Sequence, residues 1–320
     1  MNRFSHQGGL SLIELMISIT LGLILTTAIL NVTLDASRTN SHIQANSEML
    51  ESGRFINDKM SRELRLAGYI GRLSEYPAPP TGGIPSPCST TAADLEGGLA
   101  YPVVLDNGGA GNYSACGIGT LLAGADVLVV RRAGSIAVTT TVGLDSNQYY
   151  LQSTTEDYVF DKGSNSTSFV LTEKDGVTLA GIRPFYQTIY FVGSDNVFRQ
   201  ARLINGRYDI VPLIEGVDDF QVEAGIDRSA TPDGVPNASG GLDAYVSNPS
   251  SAEMLNIVGL KTYFLIRSTD PVAGTSSDRS FSYAGVNKVP ADFSASKNYP
   301  RKLFSQSIRI ENVSIKRNGK

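Results

Sequence analysis

Gly8-Gly9-Leu10-Ser11-Leu12-Ile13-Glu14-Leu15 opens the stretch whose reading decides the fold. From Leu10 to Leu34 the chain reads LSLIELMISITLGLILTTAILNVTL, 25 apolar-rich residues. As a helix they extend about 37 Å, enough to span a bilayer. Glu14 is the only charged side chain inside. Ahead of it stand nine residues, MNRFSHQGG, short and polar and carrying Arg3. No cation just beyond the stretch matches Arg3, so the positive-inside rule puts the N-terminus in the cytoplasm. Everything after Asp35 then faces the periplasm or the exterior. A secretory signal peptide has a shorter apolar region that ends at a small-residue cleavage site. A plain signal anchor leaves Glu14 unexplained, because a carboxylate in hydrocarbon costs about 2.5–3.5 kcal/mol on insertion scales. An acid placed there needs a partner.

Past Leu34 the chain turns polar without breaking, and its first proline is Pro77. Apolar or small residues recur at Met49, Gly53, Ile56, Met60, Leu64 and Ala67, at spacings of four, three, four, four and three. That is one face of an amphipathic helix. Gly68 is its stop signal. A single helix from about Leu10 to Ala67 would be roughly 87 Å long. Its first half is apolar all round, and its second half has one face to bury.

Residues 75–125 are punctuated by proline and glycine, so little regular structure is expected there. Both cysteines, Cys88 and Cys116, lie in this region. Two cysteines in a periplasmic domain favour a disulfide, here closing a loop over residues 88–116. From Asp126 onward, β-prone runs follow one another at 126–132, 136–142, 168–172, 185–192, 197–204, 208–213, 217–224, 258–267 and 303–315. Their β-branched and aromatic enrichment between polar breaks argues for an antiparallel sheet. The aromatic residues of 185–191 and 283–304 read as core.

The fold reading is therefore α+β, a long N-terminal helix packed on a β-rich head. The chain divides into a leader (1–9), a transmembrane helix (10–34), its amphipathic continuation (35–68) and the globular head (69–320).

Composition narrows the chemistry. With 41% hydrophobic and 18% charged residues and a net charge of -4, the chain is a folded protein without a basic nucleic-acid footprint. It has two histidines, His6 and His42, and His6 lies in the leader. A catalytic triad or a histidine metal site would rest on His42 alone. No G-x-S-x-G, H-E-x-x-H or Gly-rich phosphate loop is present, so neither an enzyme nor a cofactor is expected. Oxygen ligands suited to Ca²⁺ occur together in one loop, at Asp227, Asp233, Asn237 and Asp243. Their spacing does not fit an EF-hand, and such acids are ordinarily turn residues.

Gly8 to Leu15 resembles the type IV prepilin motif, in which a leader ends in Gly and a Glu stands fifth in the mature chain. Glu14 is fifth from Leu10. The resemblance implies that a prepilin peptidase cuts Gly9–Leu10 and methylates the new amine of Leu10, where the family usually has Phe. Cleavage would then create the missing partner, an α-amino cation that neutralises Glu14 of a neighbouring subunit and sets register.

The end of the long helix, Arg65-Leu66-Ala67-Gly68-Tyr69-Ile70-Gly71, is similar to PilW-type minor pilins. So, in order along the chain, are residues 126–131, 213–222 and 307–310. That resemblance implies a minor pilin that primes pilus assembly at or near the tip, serving twitching, adhesion or DNA uptake. Its implied partners are other minor pilins, the major pilin, the prepilin peptidase, the inner-membrane assembly platform and a PilY-type tip adhesin. The implied location is the inner membrane before assembly and the pilus tip afterwards. Two other readings are a J-type pseudopilin of a type II secretion system, which shares the N-terminal motif, and a membrane-tethered periplasmic enzyme or binding protein.

Overall fold

The computed structural model describes residues 11–228, 244–275, 279–293 and 298–318. Helix α1 (Leu12–Arg65) is unbroken over 54 residues. Residues 11–41 are exposed throughout, and the head begins to cover the helix near His42 and Ala45. The stripe then behaves as its spacing demands, with Met49, Gly53, Ile56, Met60 and Leu64 all buried. Gly53 is there for close approach, since a Cβ at this position would come within 2.3 Å of the Phe304 ring. The helix ends where Gly68 turns left-handed at φ +71°, a conformation that costs glycine little.

The head carries two main antiparallel sheets. The larger is built from β1 (Val103–Asp106), β2 (Val127–Ala133), β3 (Tyr149–Ser153), β4 (Tyr158–Lys162), β5 (Ile182–Val192), β6 (Phe198–Ile204) and β7 (Arg207–Ile214). Its long central strand β5 pairs with β2 along one edge, and with β3 and then β6 along the other. The smaller sheet runs β13 (Arg301–Arg309), β10 (Ile257–Arg267), β8 (Val217–Ile226) and β9 (Ala244–Val246). A short hairpin of β11 (Phe281–Tyr283) and β12 (Val286–Lys288) stands apart. Short helices α2 (Ala92–Gly97) and α3 (Ser251–Met254) lie in the connections.

The main core is a layer of aliphatic and aromatic residues between α1 and both sheets. Ile56, Met60 and Leu64 meet Val130, Tyr190, Phe220, Leu260 and Phe264 there. Phe198, Phe220 and Phe264 form a ring cluster with centroids 4.8–5.1 Å apart, within the range of favourable aromatic contact.

Three β-prone runs take other forms. Residues 136–142 make a single bridge, Val138 to Ile182, instead of a strand. The ladder that pairs Ala133 with Phe185 continues as Gly134 donating to the Pro184 carbonyl. Four chain steps from Gly134 to Val138 then face two from Pro184 to Ile182, so two extra residues loop out and Ile136 is 80% exposed. Residues 168–172 follow a 3-10 turn (Gly163–Ser168) and contribute only the Thr172–Leu179 bridge.

The third run, 303–315, stops being a strand at Arg309 and becomes helix α4 (Glu311–Asn318). The apolar period changes there from two (Ile308, Ile310) to three (Val313), and Asn312 donates to the Arg65 and Ala67 carbonyls, at and just past the end of α1. Within the Gly/Pro-rich region, Val103–Asp106 does form a strand, with Val103, Val104 and Leu105 buried against β2.

Candidate functional site: an uncovered apolar helix clamped to the head

The exposed half of α1 holds large aliphatic side chains on every side, among them Leu12 at 76%, Ile24 at 67% and Leu25 at 64% exposure. Apolar surface is removed from water at about 25 cal/mol per Å², so a surface this extensive demands lipid or protein around it. Its hydroxyls are already absorbed. Ser18, Thr26, Thr27 and Thr33 each donate to the carbonyl four residues back, and Thr20 to Ile17 three back. A polar group without such a partner would be costly in hydrocarbon. Of the described residues, this helix is the one long and apolar enough to cross a membrane.

At its start the Ser11 amide donates to the Glu14 carboxylate at 3.2 Å, which caps the first turn. Gly9 and Leu10, the residues of the expected cut, lie outside the described residues.

The covered half of α1 is tied down by charge as well as by packing. Glu63 faces Arg202 at 2.9 Å, Arg132 at 3.4 Å and Lys59 at 3.6 Å. Burial works to raise the Glu63 pKa, but the combined pull of Arg202, Arg132 and Lys59 holds it below the usual carboxylate value. Both guanidinium groups also lie over the Tyr186 ring, at 5.1 and 5.8 Å. The reading of the sequence missed this clamp. The signal was present, because Glu63 follows Met60 by three and Ile56 by seven, on the edge of the buried stripe, where an acid calls for a cation.

Cys88 and Cys116 form a disulfide. Beside it, Gln187 and Tyr208 both donate to the Pro87 carbonyl, at 2.7 and 2.5 Å. Gln187 in turn accepts from buried Arg131, which also donates to the Tyr101 carbonyl at 2.9 Å. Burial pushes the Arg131 pKa down to about 10. This network fixes the loop onto β2, β5 and β7.

Asp126, 1% exposed, joins the two sheets by accepting from the Gly108 and Val222 amides, each at 2.8 Å. Burial pushes its pKa up to about 7. The two amides oppose the shift, and Asp219 and Asp106 add to it. Of the calcium candidates, Asp227 is buried with its amide bonded to the Asn256 carbonyl. Asp233, Asn237 and Asp243 lie outside the described residues. Among the described residues no group of three His, Cys, Asp or Glu side chains could hold a metal ion.

A groove of about 730 Å³ lies elsewhere in the head. Arg132, Tyr186 and Arg202 form part of its wall, and Ile136, Val142 and Ile204 are among its aliphatic residues.

Family models match two parts of the chain. The family described as Type IV Pilus-assembly protein W matches residues 189–312, which take in the end of β5 and all of β6 to β13. The family described as Prokaryotic N-terminal methylation motif matches residues 4–30. Among solved structures, a type IV-like pilin from Thermus thermophilus aligns over 83% of this chain and 96% of its own, at 12% identity and a TM-score of 0.39. No curated protein matches the chain.

A methylation-motif helix, apolar and uncovered, carrying an antiparallel head defines a type IV pilin-like protein. Residues 189–312 are similar to the PilW family, and together with the methylation motif they support a type IV pilus minor pilin of the PilW type. Type IV pilins are structural proteins, and the similarity implies interaction with other pilins and the pilus machinery.

Proposed function

We propose that this minor pilin primes type IV pilus assembly, sits at or near the pilus tip with other minor pilins, and carries out no catalysis. The observation that carries the reading is the exposed first half of α1, apolar from Leu12 to Leu34 and continuous with the half packed on the head. Such a helix suits a lipid bilayer before assembly and a bundle of like helices afterwards. A prepilin peptidase would cut Gly9–Leu10 on the cytoplasmic side and methylate the new amine. Drawn into an apolar bundle, Glu14 would exchange its bond to the Ser11 amide for the Leu10 amine of a neighbouring subunit. A buried pair of this kind fixes register more reliably than it adds stability. Other minor pilins and the inner-membrane platform are the expected partners, with a PilY-type adhesin above.

Deletion of the gene, scored for surface pili, tests the priming role. The expected result is a strong loss of pili that a plasmid copy restores and a Glu14→Ala copy does not. Normal piliation in the deletion strain would end the priming role, and full rescue by Glu14→Ala would end the register role.

A further inference from the structure

One face of the larger sheet is only partly covered. Along β2 the residues on the α1 side alternate Leu128, Val130, Arg132, and opposite them on β5 stand Tyr190, Thr188 and Tyr186. Helix α1 covers this face as far as Glu63, which meets Arg132 and Arg202. Past that clamp the face opens as the 730 Å³ groove, and no α1 residue lines it. The rim is unusual for this head. Ile136, Val138, Val142 and Ile204 are 80, 38, 83 and 37% exposed, and all four line the groove. Among the described residues of the head they make up half of the exposed large aliphatic side chains, the others being Val170, Val177, Val211 and Ile315.

The backbone explains why they stand out. The loop-out between Gly134 and Val138 ends the β2 ladder and turns Ile136 outward, and the following Thr139-Thr140-Thr141-Val142 is β-prone chain without a ladder. Bulges next to binding sites commonly re-aim side chains in this way.

Charge specifies the visitor further. Arg132 and Arg202 on the wall and Lys59 behind it are set against Glu63 and Asp145, leaving one cation in excess on a chain whose net charge is -4. An aliphatic rim does not suit nucleobases, which stack on exposed aromatic planes. It suits alternate side chains of an extended peptide, with acids between them to meet the arginines.

We propose that this groove docks an extended segment of a partner protein in which aliphatic and acidic residues alternate. The proposal is independent of the priming role, since it concerns the head alone.

The test uses the full-length protein in detergent and a fluorescein-labelled heptapeptide alternating valine with glutamate, followed by fluorescence anisotropy. Saturable binding is expected, weakening as salt rises and at least tenfold weaker in the double variant Ile136→Asp, Val142→Asp. Both positions are exposed, so an unchanged melting temperature in that variant shows the fold intact. A valine–lysine heptapeptide is expected not to bind. The proposal is overturned by any of four results: no saturation up to about 1 mM peptide, equal binding of the lysine peptide, unchanged affinity in the intact double variant, or tighter binding of a thymidine oligonucleotide at the same site.

Discussion

The two halves of α1 are one continuous helix with opposite relations to their surroundings. Between residues 11 and 41 every residue is exposed and the aliphatic side chains point in all directions. From Ala45 to Leu64 a single stripe is buried, while Phe55 on the far side remains 49% exposed. The same backbone therefore serves two solvents. The first half gains nothing from its own head, so its apolar character has to be satisfied by other molecules. The second half belongs to the core, and its sequence is constrained position by position. Hydrophobicity alone does not separate the two, since Ile24 and Ile56 are the same residue with opposite roles. The arrangement of apolar residues around the helix is what distinguishes them.

The sharpest way to break this comparison is to make one substitution in both halves. Ile56→Ala, at a fully buried position, should cost about 2–5 kcal/mol. Ile24→Ala should leave head stability within about 0.5 kcal/mol. Urea unfolding followed by near-ultraviolet dichroism reads both, and equal losses would mean that the first half is packed on something.

A second contrast uses pH. Asp126 in the head has a folded pKa raised to about 7, so the folded state holds a proton that the unfolded chain releases. Stability should fall as pH rises from about 4 through 7, by up to about 4 kcal/mol from this group. Asp218, raised by burial against the pull of Arg301, acts in the same direction. Glu63 on the helix is shifted the opposite way, so its contribution is present above pH 4.5 and is lost as pH falls through its lowered value. Denaturant midpoints across pH should flatten on the neutral side in Asp126→Asn and on the acid side in Glu63→Gln.

Gly53→Ala should be milder, about 1–3 kcal/mol, since Phe304 has to shift to admit the methyl. Differential calorimetry would show it as a lowered melting temperature. The smallest effect is expected for Glu14→Ala, whose head should melt as the parent does.

Much of this was legible in the sequence because periodicity reports burial directly. The face at Met49, Gly53, Ile56, Met60, Leu64 and Ala67 was readable from spacing alone, as was the stop at Gly68, and all six are buried. Strands with strong β-branched content were legible for the same reason. Six others were not, three of them in the larger sheet. Val103–Asp106 is a short run beside proline and glycine, and Tyr149–Ser153 and Tyr158–Lys162 carry polar residues that obscure alternation. The run at 136–142 failed in the other direction, because propensity does not reveal a ladder interrupted by two extra residues. The Glu63 clamp depends on Arg132 and Arg202, far away in sequence, and no local pattern pairs them. The disulfide was within reach because only two cysteines exist.

The unbroken helix also has a mechanical consequence. A pull on its first half arrives at the head along the helix axis. The packed stripe from Met49 to Leu64 lies parallel to that axis and extends about 22 Å. The load therefore acts on it in shear, shared among all its side chains at once, instead of peeling them away in turn. Glu63, near the far end of the stripe, adds a tether to two strands of the sheet. A head attached in this way should resist detachment under tension far better than its equilibrium stability alone suggests.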